Sequence, residues 1–388
     1  LERLIGKYAA KMVDAGLADS GAPLIGALDA DLVWNRDGFP RDILEDVFEG
    51  LNINSLLFSK PAEPYRSIID FLASRSEGVI TPEDCETRTF LHDLPVAESF
   101  HASSIIRALK RRKCVIVPRE GLVTFGTVTP EQAFVTYSSV CFSCFVKFFA
   151  DLLKELQRRR IDREWENVLN TVLSHLPALC GTPPALTPGP FGSEEEVRRA
   201  LCEAGRATVR QGLVDSYFGN ISYLWNDILY ISQTGGSLDE LEDCIDSCPL
   251  DGSSCAGLTA SSELTAHLKI VRDTEVRAIL HGHPRFSVIL SMDCRKEQCE
   301  FRGSCHIRCP ERRSVGGIPV VPGEVGTGPF GLCHTAPPVL KGHRGVIVYG
   351  HGVFTASAGD FNDAFRHLLD IERACREDCL ERIRAHMR

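Results

Sequence analysis

From residue 193 onward, short β-rich runs alternate with stretches whose apolar residues recur at helical spacing, and that alternation narrows the folds open to the chain. Asp227-Ile228-Leu229-Tyr230-Ile231, Ala278-Ile279-Leu280-His281 and Gly345-Val346-Ile347-Val348-Tyr349 read as strands. Ser262 to Val271 and Phe361 to Arg373 read as helices, the second with Phe361, Phe365, Leu368 and Leu369 on one face. Strands with helices available to cover both faces build a three-layer α/β/α sandwich. The spacing leaves the direction of the strands open.

Composition divides the 388 residues into three parts. Residues 1–158 have a globular pattern and close on an apolar helix from Ala133 to Leu156. Residues 159–192 begin helically around Trp165, Leu169 and Val172. They then break up into Gly181-Thr182-Pro183-Pro184 and Thr187-Pro188-Gly189-Pro190, the punctuation of a linker. Residues 193–388 open on a helix-capping sequence, Ser193-Glu194-Glu195-Glu196. The charge balance, 43 Lys and Arg against 52 Asp and Glu, gives −9 and argues against a nucleic-acid partner. Lys110-Arg111-Arg112-Lys113 and Arg158-Arg159-Arg160 read as solvated helix ends. No apolar run approaches the ~20 residues that span a bilayer. The opening Leu1-Glu2-Arg3-Leu4-Ile5 is amphipathic rather than a signal peptide. The expectation is a cytoplasmic protein without a membrane partner, whose 16 cysteines are not a disulfide framework.

The two halves share landmarks. Val115-Ile116-Val117-Pro118-Arg119-Glu120-Gly121 lines up with Val346-Ile347-Val348-Tyr349-Gly350-His351-Gly352, and Ala133-Phe134 with Ala364-Phe365 in the same register. Pro61-Ala62-Glu63 parallels Ser261-Ser262-Glu263, and Leu91-His92-Asp93-Leu94-Pro95 parallels Leu280-His281-Gly282-His283-Pro284. Landmarks kept in order point to an internal duplication.

The chemistry concentrates in the second half. Residues two apart on a strand point to one face, so His281 and His283 are delivered together. His351 follows a second apolar strand between two glycines. Three neutral imidazoles with an open fourth position are the composition of a catalytic zinc site. Glu263 precedes a helix carrying His267, where a carboxylate complements the helix dipole. Gly219-Asn220-Ile221-Ser222 and Thr234-Gly235-Gly236 are loop-tip sequences rich in backbone N–H groups and hydroxyls, as an anion pocket requires.

In this order, Gly219-Asn220-Ile221-Ser222, Thr234-Gly235, Ser261-Ser262-Glu263, His281-Gly282-His283-Pro284 and Gly350-His351-Gly352 resemble the class II aldolase/adducin family over residues 195–380. That family includes fuculose-1-phosphate aldolase and ribulose-5-phosphate 4-epimerase. The resemblance implies a class II aldolase-type sandwich in two tandem copies, with residues 1–158 a degenerate, noncatalytic one. It implies zinc on His281, His283 and His351, with Glu263 as general acid/base. Gly219, Asn220, Thr234, Gly235, Ser261 and Ser262 would hold a substrate phosphate. The implied activity is that of a zinc-dependent aldehyde-lyase working through an enediolate on a small phosphorylated hydroxy-carbonyl compound. Epimerase, decarboxylase and dehydratase chemistry, or an adducin-like binding role, are the alternatives on the same scaffold. Family members form cyclic tetramers, so a fused pair would dimerise into a pseudo-tetramer. Thr234-Gly235-Gly236 departs from the usual Ser-Gly, and no counterpart of the family's tyrosine from a neighbouring subunit is evident. In the degenerate half, Glu63 and His92 would be retained, while Leu94 and Glu120 replace two of the ligands.

Cys294, Cys299, Cys305 and Cys309 fall between His283 and His351 in a loop made polar by Arg295, Lys296, Arg302, Arg308, Arg312 and Arg313. Four thiols in a polar loop, 294–309, suggest a second metal, Zn²⁺ or an iron–sulfur cluster. Cys244, Cys248 and Cys255 form a looser group, and Cys141 and Cys144 belong to a phenylalanine-rich core helix.

Overall fold

The computed structural model describes every residue except Cys180, Gly181, Ser216, Glu297, Val325, Gly326, Thr327 and Arg388. Gly181 of the expected linker therefore lies outside the described residues. Contacts divide the chain into two compact units, Leu1–Pro177 and Ala178–Arg388.

Unit 1 begins with helix α1 (Glu2–Asp14), the hairpin β1 (Leu24–Leu28) and β2 (Leu32–Trp34), then α2 (Arg41–Glu49). Strand β3 (Ser55–Ser59) leads into α3 (Tyr65–Ser74). A short ribbon, β4 (Val79–Ile80) and β5 (Leu94–Pro95), encloses α4 (Cys85–Leu91). Then come α5 (Ala102–Leu109), β6 (Cys114–Val117), β7 (Gly121–Gly126), α6 (Pro130–Gln157) and α7 (Arg163–Ser174). The main sheet runs β2-β1-β3-β7-β6, antiparallel throughout. One face of it is packed by a cluster including Leu56, Phe58, Val115 and Val123 with α2 and α5 residues Leu44, Val47 and Ile105. Against the sheet also lies α6, whose Phe142, Phe145, Phe148 and Phe149 are buried. Trp165 of α7 packs edge-on to Phe71 at 4.4 Å, which places that helix in unit 1. The expectation that no stretch could span a bilayer needs correcting. By length and composition α6 could, but 89% of its most apolar window is buried inside the unit, as in a core helix.

Unit 2 begins with α8 (Glu194–Arg210), whose Ser193 Oγ accepts from Glu196 N at the expected cap. The hairpin β8 (Asn220–Trp225) and β9 (Ile228–Ser232) follows, then β10 (Ile245–Pro249) and α9 (Leu264–Asp273). Strand β11 (Ala278–Gly282) leads into α10 (Arg285–Met292), followed by β12 (Arg313–Val315), β13 (Ile318–Val321), α11 (Leu332–Thr335) and α12 (Pro337–Leu340). The hairpin β14 (Gly345–Val348) and β15 (Gly352–Ser357) precedes the closing α13 (Phe361–Met387). The eight-stranded order is β10-β9-β8-β11-β15-β14-β13-β12. Among the described residues, β13 and β14 form its one parallel pair. Alternation along the strands makes the three layers. Ile279, Val346, Val348 and Phe354 face α9, α11 and α12 through Ala266, Ile270, Leu332 and Ala336. The other face meets α13, where the Thr355 hydroxyl donates to Ala364 O at 2.8 Å.

Five strands of unit 2, β9-β8-β11-β15-β14, follow the same order of connection as β2-β1-β3-β7-β6. The Thr355 bond has its counterpart in Thr124, whose hydroxyl donates to Ala133 O at 2.8 Å. The ladders correct two of the landmark pairings. Leu57 pairs with Thr124 as Leu280 pairs with Thr355, so Leu57-Phe58-Ser59-Lys60-Pro61 stands against Leu280-His281-Gly282-His283-Pro284. His92 and Leu94 belong instead to the α4–β5 corner. Glu63 follows β3, whereas Glu263 precedes β11, so those carboxylates are not counterparts either. Glu63 accepts from Arg66 Nε at 2.9 Å and from Ser67 N at 3.2 Å at the start of α3.

Candidate metal centre and active site

The site forms where β11 ends and the β14–β15 hairpin turns. His281 is the fourth residue of β11, paired across the ladder with Phe354 of β15, and the two rings stack with centroids 3.9 Å apart. His283 lies just past the strand end and stacks on Phe218 at 5.6 Å. His351 sits in the hairpin turn, beside Gly352. A side chain on Gly352 would place its Cβ 2.4 Å from Gly282 O and 2.8 Å from His281 Cε1. Glycine is what allows β15 to approach the histidine strand so closely.

His281, His283 and His351 each present a ring nitrogen within 4.8 Å of the others, and all three are buried. Desolvation disfavours imidazolium: it lowers His281 to about 4 and takes His283 well below the ordinary value, so these rings are neutral, the form that ligates. His281 Nδ1 faces Val353 O at 3.0 Å, so this nitrogen carries the proton and Nε2 keeps its lone pair. His283 Nε2 lies 2.9 Å from that second nitrogen, while its Nδ1 is buried with no hydrogen-bond partner. Hydrogen bonding within the protein leaves this cluster unsatisfied, and a divalent cation shared by three Nε2-type donors fits it.

Glu263, immediately before α9, closes the cluster. Its Oε1 lies 2.9 Å from His351 Nε2 and its Oε2 3.4 Å from His281 Nε2. Burial alone would raise this carboxyl, but His281 and His351 beside it, with hydrogen bonds from His351 and Asn220, hold it well below the usual carboxylate range. Behind it runs a buried hydrogen-bond chain. Ser222 Oγ meets His267 Nδ1 at 2.7 Å, His267 Nε2 meets Asn220 Oδ1 at 2.6 Å, and Asn220 Nδ2 donates to Glu263 Oε2 at 2.8 Å. Burial lowers His267 to about 3, so the ring is neutral and passes one hydrogen bond along.

The other expected residues come to the same end of the sheet with different tasks. Ser261 N donates to Ser232 O at 3.0 Å, and Thr234 Oγ1 donates to Ala260 O at 2.9 Å, which draws the two loops together. Gly235 holds φ +76° in the turn after β9. Ser261 Oγ accepts from Glu263 N at 3.3 Å and so helps fix the carboxylate. The Asn220 amide, expected on a phosphate, is engaged at both ends by Glu263 and His267.

Sequence reasoning misses the part played by three residues. His267 stands four residues, one helical turn, after Glu263, and that spacing is the signal that could have joined the two. Arg285 forms a two-pronged ion pair with Asp215 at 2.8 and 3.0 Å, tying α10 to the segment that leads into the Gly219 loop. Glu372 of α13 accepts from Phe286 N and Ser287 N at 2.9 Å each and from Ser287 Oγ at 2.8 Å. It thereby caps the helix that starts just after His283.

The Cys loop does not fulfil its expectation. Among the described residues the three histidines are the one group of potential ligands gathered within 4.8 Å, so neither Cys294, Cys299, Cys305 and Cys309 nor Cys244, Cys248 and Cys255 form a second centre. No disulfide joins the described cysteines, and Cys141 and Cys144 are buried as core residues.

Residues 199–379 match the Class II Aldolase and Adducin N-terminal domain. Unit 2 is a class II aldolase/adducin domain. Solved structures similar to this chain include the L-fuculose-1-phosphate aldolase of Thermus thermophilus, 22% identical, covering 48% of this chain and 97% of that one, with a TM-score of 0.38. A sugar-phosphate aldolase from Thermotoga maritima is 21% identical over 49% of this chain and 96% of that one, with a TM-score of 0.37. The N-terminal class II aldolase domain of a conserved protein from Thermoplasma acidophilum is 13% identical over 51% and 99%, with a TM-score of 0.35. No curated protein matches. The family assignment of this class II aldolase/adducin domain rests on the domain match, and its coverage is that of unit 2.

Proposed function

We propose that unit 2 is a zinc-dependent aldehyde-lyase acting on a small phosphorylated hydroxy-carbonyl compound. The observation that carries this reading is the convergence of three buried imidazoles with one ionised carboxylate. A binding module has no need of that combination. When bound, the divalent ion supplies Lewis-acid polarisation of a carbonyl oxygen. Glu263, held in its ionised form, takes and returns the proton at the carbon beside that carbonyl. Asn220 and Ser261 keep the carboxylate aimed, and the His267–Ser222 pair keeps Asn220 from turning over. Backbone N–H groups of Gly219 and Gly235 and the hydroxyls of Ser261 and Ser262 hold the phosphate.

Unit 1 is read as a noncatalytic copy of the same fold. Its common strand order and the paired Thr124 and Thr355 bonds support this. In the ladder register Phe58, Lys60 and Glu120 occupy the places of His281, His283 and His351, and that set cannot hold zinc. We expect two chains to associate, and a strictly monomeric mass at micromolar concentration would remove that part of the reading.

The test is metal analysis joined to a substrate screen. The protein should carry one divalent metal per chain, lost in His283→Ala, and should cleave or join phosphorylated ketoses and aldehydes only with metal present. Turnover that survives complete chelation would overturn the reading. So would a wild-type protein that takes up no zinc.

A further inference from the structure

A shallow cleft open to solvent in unit 1 is lined by Lys60, Pro61, Arg66, Ile69, Asp70, Arg119 and Gly121. It lies where β3 ends, α3 begins and the β6–β7 hairpin turns. Arg66 is matched by Glu63 at 2.9 Å, and the Asp70 carboxylate accepts from the backbone N–H of Arg119 at 2.7 Å. Among the described residues, the Lys60 ammonium and the Arg119 guanidinium have no acidic partner, so two cations border one small cleft unneutralised.

The backbone adds a second observation. Arg119 adopts φ +67°, a left-handed conformation that a side chain with a Cβ disfavours. In the aligned turn of unit 2, closed by Val348 and Gly352 as this one is by Val117 and Gly121, the same place is held by Gly350 at φ +60°. Glycine takes that conformation freely. An arginine in the strained position, with its guanidinium bordering the cleft, indicates a use for the charge.

We propose that this cleft binds a phosphate monoester through Lys60 and Arg119. Arginine presents paired N–H donors to phosphate oxygens and lysine a mobile point charge, the combination suited to a dianion. The cations and the cleft stand without the duplication reading, which supplies only the comparison with Gly350.

Calorimetric titration of the full-length protein tests this, with inorganic phosphate, glycerol 3-phosphate and sulfate as probes. Arg119→Gly and Lys60→Met should each weaken one equivalent of glycerol 3-phosphate at least tenfold, while Ser262→Ala in unit 2 leaves that equivalent intact. Arg119→Gly should also raise the melting temperature of the unliganded protein by roughly 2–4 °C, because the strained residue is relieved. A folding defect therefore cannot explain its loss of binding. Glycerol 3-phosphate isotherms of both variants that superimpose on the wild type would overturn the proposal, as would equal binding of all three anions. Neither metal nor turnover enters these readouts, so failure here is separate from failure of the lyase reading.

Discussion

Glu372→Gln tests how α13 supports the histidine cluster. Glu372 is buried, and burial pushes its carboxyl up to about 7 from an ordinary 4.5 despite the hydrogen bonds from Phe286, Ser287 N and Ser287 Oγ. Between these values the folded chain keeps a proton that the unfolded chain has released. Stability contributed by this group is therefore full below pH 4.5 and is lost as pH rises through 7. At 1.36 kcal/mol per unit, the loss is about 3 kcal/mol. The amide cannot titrate, so its contribution is flat. It also replaces one acceptor oxygen with an NH₂ facing the Ser287 donors, which costs roughly 1–3 kcal/mol. The variant should be the less stable protein at pH 5, and the gap should close or reverse by pH 8. Urea denaturation of metal-free protein at intervals from pH 5 to 8, followed by circular dichroism, measures the difference, and other titrating groups cancel between the two proteins. Parallel stability profiles would refute the assignment of this proton to Glu372.

Other consequences can be read from the same site. Glu263→Gln should lower turnover by roughly 10²–10⁴ while metal analysis still finds the ion bound, because the three histidines are untouched. Gly352→Ala should cost about 1–3 kcal/mol and weaken zinc affinity, since its Cβ meets the Gly282 carbonyl and the His281 ring. Thermal melting and zinc competition report the two effects separately. Arg285→Ala leaves the half-buried Asp215 without its partner and should destabilise unit 2 by roughly 1–3 kcal/mol, read in urea. Zinc at a hundred times its dissociation constant should stabilise the wild type by about 2.7 kcal/mol, an increment absent from His283→Ala.

Much of unit 2 was legible because its signals are local. His281 and His283 stand two apart at the end of an apolar run, and the strand period alone puts them together. Ser193 before three glutamates announced α8. What escaped the sequence depends on distant partners. The Glu372 cap joins residues 85 and 86 positions apart, and Asn220 meets Glu263 across 43, separations that no local spacing encodes. The landmark error in unit 1 has the same origin. Leu57-Phe58-Ser59-Lys60-Pro61 and Leu91-His92-Asp93-Leu94-Pro95 both share Leu-x-x-x-Pro with Leu280-His281-Gly282-His283-Pro284, and the histidine in the second made it the more attractive match. Only the ladder partner, Thr124, separates them.

The pairing of β11 with β15 has a consequence for how the protein matures. Two of the imidazoles ride on or just beyond β11, and the third stands at the head of β15, so the cluster exists only when Leu280 lies opposite Thr355. Sliding that ladder by a single residue would turn His281 to the α13 face and separate it from His351. On the proposed function, cation uptake would inspect strand register. A chain that closes one residue out of step can be compact and apolar inside, yet it would forgo the binding energy of the proposed ion, so metal supply during synthesis should enrich the correctly registered form.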